Sequence, residues 1–189
     1  MRKKAALYNE LKAAQIASIL LGLEGGTMNL LKLIKIMYAL EKESLKRRGS
    51  LVTYDHFYSL PHGQVVSQTY DRAEYRDRPA HTIWSKYFKT TVRGREKFVH
   101  RVEDAGLSQL SRAEIELAKD IYDQNKNKTP AKLMEEHHTP SITPEWKDPG
   151  SGRIETKYAS LLRILGKTDE QITEFENDLD ELICLKSLR

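Results

Sequence analysis

Leu31-Lys32-Leu33-Ile34-Lys35-Ile36-Met37-Tyr38-Ala39-Leu40 decides the fold. Leu30, Leu33, Ile34, Met37, Tyr38 and Leu45 recur at the three- and four-residue steps of a helix. Leu31, Ile36 and Leu40 widen that apolar face, so much of the helix is expected to be buried. The pattern predicts a helix from about Asn29 to Arg48, with Gly49 as its stop. Lys32, Lys35, Ala39, Lys42 and Lys46 are spaced +3, +4, +3, +4 and share one side of it. Two readings of these lysines stand: a stripe that meets acidic side chains or phosphates, or the wet face of an amphipathic helix.

Before this stretch, Leu7, Leu11, Ala14, Ile16, Ile19, Leu20 and Leu23 predict a helix over 4–23, ended by Gly25-Gly26. After it the character changes. Val52, Tyr54, Phe57, Tyr58 and Leu60 favour extended chain, and Pro61-His62-Gly63 breaks it. Gln64 to about Tyr75 reads as a short helix with Val65, Val66 and Tyr70 inward. Two strands are expected at Thr82–Phe88 and Lys97–Val102, with Arg93-Gly94-Arg95 near their turn. Further on, Ser111-Arg112-Ala113-Glu114 and Thr168-Asp169-Glu170-Gln171 are capping boxes that open helices, and Thr129-Pro130 starts another. Residues 139–152, with three prolines and two glycines, read as a loop. Ile154, Tyr158, Leu161 and Leu165 form a helical stripe stopped by Gly166. Ile172, Phe175, Leu179, Leu182 and Ile183 line one face of a last helix over about 169–187. The expected fold is mainly α within the α+β class. It is one helical domain over 1–189, with a small antiparallel sheet inserted between 51 and 103.

The 189 residues suit one core, with 39% hydrophobic and 31% charged residues as in ordinary globular proteins. No apolar run reaches the roughly 20 residues that span a bilayer. The single cysteine, Cys184, excludes an internal disulfide framework and fits a reducing cytoplasm, the expected location. Beside Ile183 it reads as a small buried hydrophobe. Residues 1–100 carry 18 Lys+Arg against 9 Asp+Glu, and residues 101–189 carry 13 against 18. The basic half suggests an acidic partner, either a protein face or nucleic acid; the alternative is two solvated faces of one domain.

Chemistry-bearing groups are sparse. His137-His138 sits at a helix end without a third ligand at a recognised spacing, and a zinc site needs three or four converging ligands. No metal or other cofactor is expected. There is no phosphate-binding glycine loop and no G-x-S-x-G elbow. Glu174, Glu176, Asp178, Asp180 and Glu181 look like solvated helix surface. His62, in its turn, is the one group that suggests catalysis, and its plain alternative is a turn histidine bonded to backbone. The chain is not expected to be an enzyme.

The motif residues resemble the Panacea domain, the family of SocA-like antitoxins that includes phage GepA-like proteins. A Lys-Leu-x-Lys-hydrophobic-hydrophobic-Tyr helix is matched by Lys32, Leu33, Lys35, Ile36, Met37 and Tyr38. An aromatic strand, a Gly-Pro-Val turn and a helix ending in tyrosine are matched by Phe57, Gly63, Val65 and Tyr70. His62 completes a local form similar to the Pro-His-Gly-Pro-Val subgroup, and Gln64 stands where proline is usual. Thr129, Leu133, His138 and Trp146 continue the order, then Ile154 and Tyr158. The resemblance covers about residues 10–165.

It implies a protein that neutralises a toxin encoded beside it by direct binding. The motif positions would then build the scaffold, while other surfaces choose the toxin. An adaptor that hands its partner to a protease is the related reading. The segment from Arg72 to Lys97 holds eight basic residues among aromatics. That mixture binds single-stranded nucleic acid, forms protein hot spots, or packs as strand core. Arg72, Arg76, Arg78, Trp84, Lys86, Tyr87 and Arg93 are the expected toxin-binding residues. A nucleic-acid-binding regulator is the alternative.

Overall fold

A computed structural model describes residues 7–74 and 82–188. In chain order the elements are α1 (Glu10–Leu23), β1 (Thr27–Asn29), α2 (Leu30–Arg48), β2 (Phe57–Leu60), β3 (Gly63–Val66), α3 (Ser67–Glu74) and α4 (Ile83–Tyr87). They continue with β4 (Phe88–Arg93), β5 (Glu96–Arg101), α5 (Arg112–Asn125), α6 (Pro130–Glu136), β6 (Ile154–Thr156), α7 (Tyr158–Ile164) and α8 (Asp169–Ser187). The fold is mainly α with small antiparallel sheets, as the sequence implies.

The helix read from residues 31–40 is the spine. Asn29 caps α2 by accepting from the Leu31 and Lys32 amides, and Gly49 closes it in the left-handed region at φ +66°. Lys46, Arg47 and Arg48 lie in its last turn, against the negative end of the helix dipole. Leu33, Ile34, Ile36, Met37 and Leu40 are all buried, because α2 meets β3, β5, α5 and α6 on different sides. α1, whose Asn9 cap accepts from the Lys12 amide, packs on α4 and α5. Residues 4–6 of the expected first helix lie outside the described residues.

Two three-stranded sheets replace the one expected inserted sheet. One has the order β1-β5-β4, with Met28 opposite Val99 and Thr90 opposite Val99 on the other side. The other has the order β3-β2-β6, with Phe57 opposite both Val66 and Thr156. Each sheet recruits one strand from beyond 51–103. Neither β1 nor β6 is long enough to stand out as a strand in sequence.

Four local expectations are corrected. Pro61-His62-Gly63 breaks the extended chain after Leu60, as expected. It forms the hairpin turn between β2 and β3, and the helix expected from Gln64 begins only at Ser67. The segment expected as a strand at Thr82–Phe88 is α4. Thr82 caps the Ser85 amide and the Glu10 carboxylate accepts from the Trp84 amide at 2.9 Å, so two of the first-turn donors are satisfied. The strand begins at Phe88, and the turn at Gly94 is where the sequence puts it. Ile154 belongs to β6 rather than to the helical stripe, which starts at Tyr158. Val52 and Tyr54 lie in the loop before β2, outside any strand.

Two buried carboxylates shape that loop. Glu41, on α2, accepts from the Val52 and Thr53 amides and the Thr53 hydroxyl. Asp55 accepts from the Gln68 and Thr69 amides and the Thr69 hydroxyl, and so caps α3. Burial pushes the Glu41 carboxyl up to about 7, while those three donors pull the other way. Both capping boxes form as read, at Ser111/Glu114 and Thr168/Gln171.

Candidate functional site

The motif positions converge on the β2–β3 turn. Lys35 is completely buried, and its Nζ donates to the Gln64 carbonyl at 2.7 Å. Trp146 Nε1 donates to the Leu60 carbonyl at 3.1 Å. His138 Nε2 meets the Pro61 carbonyl at 2.7 Å, and its ring stands edge-on to Trp146. Three side chains from distant parts of the chain thus satisfy three carbonyls of one hairpin.

Gly63 closes the turn at φ +91°, where a Cβ would stand 2.7 Å from His137 Cβ and 2.9 Å from Lys35 Nζ. Both the backbone conformation and the crowding require glycine. Gln64, in the usual proline position, is fully buried. Its side-chain amide donates to the Ser59 and Thr156 hydroxyls across the sheet. Val65 is buried; His62 is exposed at the turn.

One helical turn beyond Lys35, the Tyr38 hydroxyl donates to Glu145 Oε1 at 2.6 Å, and Lys42 donates to the same oxygen at 2.7 Å. The Tyr38 ring meets Phe57 and His137 edge-on. Lys32 pairs with Glu24 at 2.6 Å and also donates to the Lys126 carbonyl. The lysine stripe is therefore wet only towards its end, where Lys46 is exposed. Its first members are buried and turned inward, because α2 is covered nearly all round. The acidic groups met by Lys32 and Lys42 belong to this chain.

Burial lowers Lys35 to about 7. His137 drops to about 2, chiefly through burial and then through the positive charges of Lys35 and Lys42, so its imidazole is neutral. The composition of the 31–40 stretch carried a signal for Lys35: a lysine inside a helix apolar on all sides has nowhere wet to go. His137, Glu41, Asp55 and Glu145 had no such local signal.

The seven expected binding residues do not form one patch. Trp84 is core, 3% exposed, with its ring 4.4 Å from that of Phe88. Arg72 pairs with Glu10 at 2.9 Å and lies over the Tyr8 ring. These two meet at Glu10, in a half-buried junction. Lys86 is exposed above the Tyr87 ring and 3.6 Å from Glu103. Arg93 is exposed at the far end of β4, over the Phe98 ring. Arg76 and Arg78 lie outside the described residues. Tyr70, expected inward, is half-buried and donates to Glu74.

Cys184 is exposed rather than buried. The end of α8 runs past the core, leaving Leu182, Leu185 and Leu188 exposed as well. Among the described residues, no group of three or more His, Cys, Asp or Glu side chains could hold a metal ion, and no helix is long and apolar enough to cross a membrane.

No curated protein and no solved structure matches the chain. A family model does, over residues 33–147. That span begins on the spine helix and ends just after Trp146, enclosing Lys35, Tyr38, Gly63, His138 and Trp146. With that match across more than half of its length, the chain belongs to the family described as antitoxin SocA-like, Panacea domain.

Proposed function

We propose that this protein is an antitoxin that neutralises a toxin encoded beside it by binding that toxin directly. The observation that carries the reading is the family match over residues 33–147. The geometry of the motif supports it. Lys35, His138 and Trp146 hold main-chain carbonyls of the β2–β3 turn, and Gly63 gives them room. Such a motif preserves a scaffold and leaves the remaining surface free to suit different partners.

Co-expression with the product of the adjacent gene tests the reading. Restored growth together with a stoichiometric complex on size exclusion is the expected result. Toxicity unchanged by this protein refutes it. The toxin's half-life separates direct neutralisation, which leaves the toxin intact in the complex, from delivery to a protease, which shortens its lifetime.

A further inference from the structure

We propose that the toxin docks on the solvent face of the β1–β5–β4 sheet and presents an acidic patch to it; this rests on the antitoxin reading above. The register defines the face. Thr27 and Lys89 both lie opposite His100, Asn29 and Thr91 both lie opposite Phe98, and Arg93 lies opposite Glu96. Cross-strand partners point the same way, so these residues share one side. The other side, with Met28, Phe88 and Val99, is core.

None of the residues on the solvent side is buried. The face is nevertheless rigid. The His100 ring is held between the Thr27 and Thr91 hydroxyls, at 2.9 and 2.8 Å from its two nitrogens. Asn29 donates to Glu96 at 3.2 Å, and Arg93 lies over Phe98. A fixed polar lattice with an aromatic at its centre costs little ordering entropy on association.

Charge selects the partner. In the same region Arg72, Lys86, Lys97 and Arg101 each pair with a carboxylate of this chain. Lys89, Arg93 and Arg95 have no carboxylate in ion-pair reach among the described residues, and all three are exposed. They are the cations of the basic half that the sheet leaves for another molecule. Beside the face lies a cavity of about 230 Å³, lined by Leu30, Leu31, His62, Tyr70 and Arg95 and sharing Asn29 and Glu96 with the sheet. Its apolar floor suits one large anchoring side chain, the arrangement in which interface energy concentrates. A single aromatic already covered by Arg93 makes a poor stacking platform for successive bases, so a protein is favoured over nucleic acid.

The test is the triple reversal Lys89→Glu, Arg93→Glu, Arg95→Glu, co-expressed with the product of the adjacent gene. Exposed positions tolerate such changes, so the melting temperature should stay within a few degrees of wild type. The expected result is loss of neutralisation and an affinity lower by about a hundredfold. Reversal of Glu174 and Glu176 on α8 should have no effect. The milder Lys89→Gln, Arg93→Gln, Arg95→Gln variant, for use if the reversal misfolds, should weaken binding by about tenfold.

Neutralisation by a folded reversal or glutamine variant at wild-type strength overturns the docking face and leaves the antitoxin reading standing. Failure of the wild-type protein to neutralise overturns both. A single-stranded oligouridine that binds wild type but not the reversal, with neutralisation unchanged, overturns the proposal in favour of nucleic acid.

Discussion

Lys35→Met tests the account of the buried lysine. In the native state Lys35 titrates at about 7, while an unfolded lysine titrates near its ordinary value of 10.5. Between those values the unfolded chain binds the extra proton, so stability rises with pH. The full difference corresponds to about 5 kcal/mol, and the part gained between about pH 7.5 and about pH 9 is about 2 kcal/mol. The window stops there because the raised tyrosines, Tyr8 and Tyr70 among them, begin to titrate in the unfolded chain and oppose the trend.

Methionine fills similar space without a charge. It leaves the Gln64 carbonyl unpartnered, at a pH-independent cost of about 1–3 kcal/mol. The intercept therefore combines a gain and a loss, but the slope isolates the lysine. Urea unfolding of both proteins across that range gives the two slopes, and tyrosine contributions cancel between them. Wild type should gain about 2 kcal/mol over Lys35→Met across the window. Parallel curves would refute the buried, weakly basic lysine.

Gly63→Ala should destabilise by about 2–4 kcal/mol in the same assay, through the positive φ and the contacts with His137 and Lys35; a change near zero would show that the turn relaxes freely. Trp84→Ala should cost about 3–5 kcal/mol because the ring is core. Any loss of toxin binding in that variant should track unfolding, which a binding measurement on the folded fraction checks.

What the sequence determined by itself is local and periodic. The spine helix and its Gly49 stop, both capping boxes and the Gly94 turn follow from residue spacing and cap chemistry acting over a few residues. The motif order likewise pointed to the family, because order along a chain is a one-dimensional property.

The tertiary structure decided what depends on distant partners. Ile83–Tyr87 is helical with its Trp84 amide held by Glu10, far away in the chain, beside the local Thr82 cap. Thr27–Asn29 and Ile154–Thr156 are strands only because β5 and β2 offer them edges. The lysine stripe looked amphipathic from spacing alone. Lys32, Lys35 and Lys42 turn inward because α5, the loop after α6 and the β2–β3 turn close over α2 and supply the Lys126 carbonyl, Glu145 and the Gln64 carbonyl. Which cations pair within the chain was decided the same way, since pairing between side chains tens of residues apart leaves no trace in local sequence.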